Sequence, residues 1–509
     1  MTFSLYVHWP YCIKRCPYCD FNAHLDPSAP PIRADHISPA PKTTDQYLTE
    51  TMSPNGKKMA AALLGELHFY RQPDIYNYYF TGRKISSIFF GGGTPSLMPP
   101  QLVRDIIATA RDLYGFTDDI EITLEANPGT LEGGGDGAGS KRLSALADAG
   151  INRLSLGVQA LDPDALRLLG RIHDSTTARA VIKQLPTIFS RWSFDLIYSR
   201  PDQTLGQWQD ELSSAIDQYN PRHLSLYQLT IEPGTEFFRH QKSGLITLPD
   251  DDISADFFVA THQLMAARGL PAYEISNFAM PGEESRHNLT YWRSGDWLGI
   301  GAGAHSRLTP LHHLSPLTRP SVLPALQSGG MTEQAEPIGA ALNLSLNTHQ
   351  YRPAISSQPA DDQHPPLRLA ISNFRLPDKW AAMVNNTSPK NTDHGGGHNT
   401  HGVGIEKIEH LGHDDIFAER LMMGLRLTAG ITIDLAQDLS PDQTAIFTNK
   451  WQDLVDANLA YSPTTPPAIK QGLTVDAARY VPDHDNPSQY TLTQQGLLRL
   501  NSVLGFLCS

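Results

Sequence analysis

A chain of 509 residues is long enough for two or three domains, or for one large barrel with additions. Its 40 Lys and Arg against 53 Asp and Glu leave a net charge of −13, which argues against a broad nucleic-acid grip and offers nothing to an anionic membrane surface. With 40% hydrophobic residues the chain has enough apolar surface to bury a core and is not disordered as a whole.

The opening residues, Met-Thr-Phe-Ser-Leu-Tyr-Val-His-Trp-Pro, lack the basic and apolar stretches of a signal peptide, and no transit peptide fits. No apolar run reaches the ~18 residues of a membrane span. The expected compartment is therefore the cytoplasm. In chain order, six short apolar or β-branched runs read as buried parallel strands: 5–9, 86–90, 121–126, 154–158, 194–198 and 223–230. Helical patterns lie between them. Leu102, Val103, Ile106, Ile107, Ala110, Leu113 and Tyr114 share one face, and Leu143, Leu146 and Ala147 form a shorter stripe closed by Gly150. Strands alternating with helices give βαβ units, and six of them predict an α/β fold: a partial (β/α)6 barrel of TIM type.

This barrel is expected over 1–307, with surface insertions at about 27–58 and 131–140. Residues 308–410 are rich in Pro, Asn, Gln, Ser and His and read as a low-complexity insertion or linker. Helical spacing returns at Phe417, Leu421, Met422 and Leu425, and again at Leu497, Leu500 and Leu504, so a small, mainly helical C-terminal domain is expected over 411–509. His394, His398, His401, His410 and His413 are irregularly spaced and read as a solvated loop rather than a metal site.

Three of the four cysteines, Cys12, Cys16 and Cys19, fall within eight residues, and Cys508 stands alone near the end. A secreted disulfide framework would spread an even set along the chain, so this spacing reads as a metal or cluster site in a reducing compartment. The run Cys12-Ile-Lys-Arg-Cys16-Pro-Tyr-Cys19 follows the first strand directly, on a loop at a strand's C-terminal end, where barrels build their sites. Three thiolates can ligate three irons of a [4Fe–4S] cubane and leave the fourth iron open to an exchangeable ligand. The alternative from spacing alone is zinc, which usually takes four protein ligands; His24 is the nearest fourth.

The surrounding sequence, Leu5-Tyr-Val-His-Trp-Pro-Tyr-Cys-Ile-Lys-Arg-Cys-Pro-Tyr-Cys-Asp-Phe21, resembles the signature of radical S-adenosylmethionine (SAM) proteins. Within them it is similar to the branch that holds the oxygen-independent coproporphyrinogen dehydrogenase HemN and the heme chaperone HemW. The resemblance recurs in order over about 4–307 and again from about 415. It implies a [4Fe–4S] cluster on the three cysteines. Phe90-Gly-Gly-Gly-Thr-Pro95 resembles the family's glycine motif, so Gly92, Gly93 and Thr94 would approach the methionine part of SAM. Glu125 in Leu124-Glu-Ala-Asn-Pro128, Gln159 in Leu156-Gly-Val-Gln159, Arg171 and Asp195 match further SAM contacts, and Tyr6, Tyr18 and His305 complete the implied set. The family usually has Gly-Leu-Pro where this chain has Ser199-Arg200-Pro201.

Two departures separate the chain from the dehydrogenase, which carries a fourth cysteine two positions after the third and an N-terminal extension. Phe21 stands at that position here, and only four residues precede the first strand. Both features resemble HemW. So does Arg286-His-Asn-Leu-Thr-Tyr-Trp292, from which His287, Asn288, Tyr291 and Trp292 are implied as heme contacts; read without the resemblance, His287 and Trp292 simply pack a loop against the barrel. Met422-Met-Gly-Leu-Arg426 and Leu492-Thr-Gln-Gln-Gly496 resemble the bounds of a C-terminal domain that covers the barrel's open side. The implied function is heme binding and transfer to an unidentified acceptor protein, with an electron donor for the cluster, a homodimer as one assembly, and no nucleic-acid partner. The alternatives are the dehydrogenase, which oxidatively decarboxylates propionates, and a radical enzyme acting on RNA, which the net charge disfavours.

Overall fold

The computed structural model describes residues 1–26, 53–131, 138–311, 367–385, 404–433, 435, 439–462 and 489–508. All six expected strands form. They are β1 (Thr2–Trp9), β2 (Lys84–Gly92), β3 (Phe116–Ala126), β4 (Arg153–Gln159), β5 (Arg191–Tyr198) and β6 (His223–Gln228). They pair in parallel, in chain order. Burial on both faces explains their continuous apolar character: in β1 only Thr2 is exposed.

The crossover helices are α1 (Pro54–Phe69), α2 (Pro100–Tyr114), α3 (Ala138–Asp148), α4 (Ser175–Ile188), α5 (Leu205–Tyr219) and α6 (Asp251–Ala267). Helix α2 buries Leu102, Val103, Ile106, Ile107, Ala110 and Tyr114, the expected face, and ends at Gly115 with φ +70°. Helix α5 starts on a capping box between Thr204 and Gln207 and stops at Asn220 in the left-handed region. The shared core includes the fully buried Trp208, Phe194, Phe90 and Leu63.

The sheet continues beyond these six strands. β7 (Asn277–Ala279) adds antiparallel to β6 at one edge. At the other edge β8 (Trp297–Ile300) runs parallel to β1, followed by the antiparallel β9 (His305–Leu308), β10 (Arg368–Asn373) and β11 (Ile405–Leu411). The full order is β11-β10-β9-β8-β1-β2-β3-β4-β5-β6-β7.

This corrects the expectation of a low-complexity insertion or linker over 308–410. Strand β10, most of β11 and the helix Pro377–Asn385 lie inside that interval, and the helix buries Trp380 and Val384 in the main core. Local sequence hides them because each is short and flanked by polar, Pro-rich chain, while β10 finds its partner more than sixty residues upstream. Helix α1 likewise starts at Pro54, inside the first expected insertion, and α3 at Ala138, inside the second. Most of the first insertion, 132–137, and His394, His398 and His401 lie outside the described residues.

The C-terminal helices His413–Gly424, Pro441–Asp456 and Leu500–Cys508 build a second core around Phe447, Trp451 and Tyr490, with Cys508 packed against it. Residues 413–428 span the gap between the two sheet edges. Glu419 takes Arg307 of β9 at 2.7 Å and Arg368 of β10 at 3.2 Å. Thr428 bonds through its N–H to Tyr273 O at 3.2 Å, beside β7. Among the described residues no helix is long and apolar enough to cross a membrane.

Candidate functional site

The three clustered cysteines follow β1 and are all half-buried. Their loop is held from outside and within. Thr94 Oγ1 donates to Cys12 Sγ at 3.2 Å, Arg171 Nη1 to Cys16 Sγ at 3.3 Å, and the Cys19 N–H to Cys16 O at 3.1 Å. Burial pushes the Cys12 thiol up and the Cys19 thiol up to about 12. Without a cation to stabilise the thiolate they stay protonated. Among the described residues no three His, Cys, Asp or Glu side chains converge on a single-ion site. A cubane does not require that, because each thiolate meets a different iron.

The implied SAM contacts fall into two groups at the strands' C-terminal ends. The first shares a narrow cleft with Cys16 and includes Thr94 and Arg171. Arg171 is anchored through Nη2 to Gly157 O at 2.8 Å and lies 3.5 Å from the Tyr18 hydroxyl, while its buried Nε has no partner. Tyr18 packs on Phe237 at 6.3 Å between ring centroids. Gly92 and Gly93 pass so close to the start of the cysteine loop that a Cβ on Gly93 would lie 2.7 Å from Pro10 O, and one on Gly92 2.8 Å from Trp9 O. Gln159, at φ +73°, ends β4.

The second group lines the barrel's lumen: Tyr6, Glu125 and Asp195 face one cavity of ≈ 180 Å³. Burial, and then the neighbouring Asp195 charge, push Glu125 up to about 8. Burial pushes Asp195 up to about 6 against the hydrogen bonds from Ser225 and Ser155. Of the two carboxyls, Glu125 is thus the one held further toward its protonated form. The Tyr6 hydroxyl meets His8 Nδ1 at 3.0 Å. His305, in β9, is half-buried on the β8 side, and burial lowers its imidazole to about 4.

The implied heme contacts His287, Asn288, Tyr291 and Trp292 belong to a short helix, α7 (Arg286–Trp292), capped by Ser285 and bonded to β1, β2 and β3 through Thr290 to Ser4, His287 to Ser87 and the His287 N–H to Glu121. His287 is 1% exposed. Its Nδ1 meets Ser87 Oγ at 2.8 Å, its Nε2 bonds the Tyr291 hydroxyl, and its ring stacks on Phe89 at 5.0 Å. In this conformation neither imidazole nitrogen is available to an iron. Trp292 is also buried, packed against Met423 and Leu427 of the C-terminal unit. His287, Asn288 and Tyr291 line the same lumen cavity as Tyr6, Glu125 and Asp195.

Sequence reasoning missed the rest of that lining: Phe89, Arg153, Ser155, His223, Ser225, Tyr227 and Asn277. The signal was present. Arg-Leu-Ser-Leu-Gly in β4, Ser-Phe-Asp in β5 and His-Leu-Ser-Leu-Tyr in β6 place a polar or small residue at every second position of otherwise apolar strands. That alternation aims them all at one face, here the lumen.

Comparison with known proteins gives the family and the fold. Residues 6–214 match the radical SAM superfamily. The heme chaperone HemW of Haemophilus influenzae is 39% identical over 309 residues, covering 60% of this chain and 70% of that protein. The chain belongs to the HemW family. HemW of Escherichia coli K12 is 38% identical over 307 residues, covering 60% of this chain and 70% of its own. The mitochondrial radical S-adenosyl methionine domain-containing protein 1 of Dictyostelium discoideum is 40% identical over 331 residues, 61% of this chain and 67% of that one. Among solved structures, coproporphyrinogen III oxidase (HemN) of E. coli superposes with a TM-score of 0.60 at 19% identity, covering 100% of this chain and 90% of its own, which establishes the shared fold. Membership of the HemW family within this superfamily implies a [4Fe–4S] cluster and SAM.

Proposed function

We propose that this protein is a heme chaperone: it binds heme and hands it to an acceptor protein, with a [4Fe–4S] cluster on Cys12, Cys16 and Cys19 and an exchangeable SAM beside it. The carrying observation is the cysteine loop, whose thiols already receive hydrogen bonds from Thr94 and Arg171 at the mouth of the lumen. The residues fit the cofactors. The buried Arg171 Nε, without a partner among the described residues, suits a polar ligand against the loop, and Gly92 and Gly93 let the end of β2 pack directly on the start of that loop. When bound, a three-cysteine cluster supplies one electron to the sulfonium of SAM.

The chain's own residues do the remaining work. Thr94 and Arg171 donate to thiolate sulfur and so favour the ligating form. Glu125, Gln159 and Asp195 orient the adenosyl end, with Glu125 the more readily protonated of the two carboxyls. We take 1–307 as the barrel unit and 411–509 as a cover over its open side, which keeps water from the lumen. For heme, Asn288 and Tyr291 offer contacts as they stand. His287 would hold the heme iron only after releasing Ser87 and Tyr291. Phe21, 47% exposed beside Cys19, occupies the position of the dehydrogenase's fourth cysteine and favours the chaperone.

The test is anaerobic reconstitution with iron and sulfide, then heme titration followed in the Soret region, for wild type, His287→Ala and a triple Cys→Ala variant. Stoichiometric heme uptake without conversion of coproporphyrinogen III is the expected outcome. Turnover of coproporphyrinogen would overturn the chaperone reading, and undiminished uptake by His287→Ala would remove the imidazole from the heme site.

A further inference from the structure

Two arginines sit side by side on neighbouring strands of the barrel, their Cα atoms paired in register: Arg153 on β4 and Arg191 on β5. Their surroundings differ sharply. Arg191 is answered by carboxylates: Glu121 Oε2 at 2.6 Å and Glu283 Oε2 at 3.1 Å, with Glu284 O at 2.8 Å. Arg153 is 3% exposed, and its one hydrogen bond among the described residues runs from Nη2 to Ser193 Oγ at 3.2 Å. No carboxylate lies within ion-pairing distance of it there; Asp195, the nearest acid to feel its charge, is bound instead to Ser155 Oγ at 3.3 Å and to Ser225.

A buried guanidinium without an anion is an unstable arrangement, because desolvation is not offset by a partner. Arg153 faces the ≈ 180 Å³ lumen cavity, so the partner has room to come from outside the chain. A second orphan points to the same place. His223, on the same cavity wall and 2% exposed, spends Nε2 on the Tyr273 hydroxyl at 3.0 Å and leaves its buried Nδ1 without a partner. Asn288 Nδ2 donates to the same tyrosine at 3.3 Å, which sets its amide at the cavity edge.

We infer that the inner end of the lumen is a binding subsite for the carboxylate of a small organic acid, gripped by Arg153 with His223 and Asn288 beside it. One cation argues for a monoanion: burial and the two arginines hold His223 neutral, and Asp195 on the same cavity repels a second negative charge. The planar guanidinium matches a carboxylate edge-on through two N–H groups. Tyr6, Phe89, Glu125 and Asp195 line the same cavity. The grip by Arg153 and His223 goes beyond the heme and SAM contacts proposed above, with which it shares Asn288 and one cavity.

The experiment is thermal unfolding of the full chain, purified anaerobically, at constant ionic strength, with acetate, acetamide, chloride or SAM as the added probe. Wild type is expected to show a saturable rise in Tm of a few degrees with acetate and none with acetamide or chloride. Arg153→Gln loses that rise, and Arg153→Lys keeps it in weakened form. An equal rise with chloride, or its persistence in Arg153→Gln, overturns the inference. So does a rise produced by SAM alone and lost in Arg153→Gln, since the guanidinium would then belong to the SAM site. If Arg153→Gln does not fold, acetate against acetamide on wild type decides: no difference between them refutes the carboxylate subsite whatever the cluster or heme assays give.

Discussion

Gly170 offers a direct way to disturb the cysteine loop from a distance. It sits at φ +66°, and a Cβ there would lie 2.5 Å from Pro17 Cδ and 3.2 Å from Pro17 Cγ. Pro17 stands between Cys16 and Tyr18, and its carbonyl is held by the Phe237 N–H at 2.9 Å, so the ring cannot swing away like the tip of a long side chain. Placing an L-residue in the left-handed region costs roughly 1 kcal/mol. Overpacking a held neighbour adds about 1–3 kcal/mol. Gly170→Ala should therefore lose about 2–4 kcal/mol by denaturant unfolding. Because relief comes by moving the loop, it should also bind less iron and sulfide on anaerobic reconstitution. The comparison is Gly206→Ala, an exposed helical position where an added Cβ meets nothing within 4 Å. That variant should gain about 0.5–1 kcal/mol from helix propensity and load its cluster normally. A Gly170→Ala protein with wild-type stability and full iron content would refute the claim that this glycine sets the loop's position.

Two further outcomes follow from backbone and charge. Ser199 takes φ +57° at the position where the family usually has glycine, so the turn keeps its shape at the expense of a strained serine; Ser199→Gly should stabilise the protein by about 1 kcal/mol, and a loss in denaturant unfolding would show that its 3.4 Å contact with Ser254 matters more. Glu66 is 0% exposed, accepts hydrogen bonds from the Gly301 N–H and Asn373 Nδ2, each at 2.8 Å, and is pushed up by burial to about 8 from its ordinary 4.5. The unfolded chain ionises this group first, so its contribution is fully present below pH 4.5 and falls as pH rises to about 8, by at most about 1.4 kcal/mol per unit. Stability of Glu66→Gln measured against wild type across that window should therefore rise with pH, and a flat difference would contradict the buried neutral carboxyl.

Much of this protein was legible in its sequence because the signals are local. Six runs rich in apolar and β-branched residues marked the parallel strands, since burial on both faces favours such residues there. The spacing of Cys12, Cys16 and Cys19 right after the first run marked the loop, and the apolar stripe from Leu102 to Tyr114 marked α2. The alternation in β4, β5 and β6 could have shown an inward polar face, but only closure of the sheet turned Arg153, Asp195 and His223 into one lumen. Tertiary structure alone decided three things. It drew 368–373 and 405–411 into the sheet, because strand pairing rewards contacts across long stretches of chain that no local window contains. It put α7 against β1, β2 and β3, where Ser87 and Tyr291 occupy both nitrogens of His287 and Met423 covers Trp292. And it paired Arg191 while leaving Arg153 without a carboxylate, a distinction set by which acids the fold brings near each guanidinium, not by the residues on either side of them in the chain.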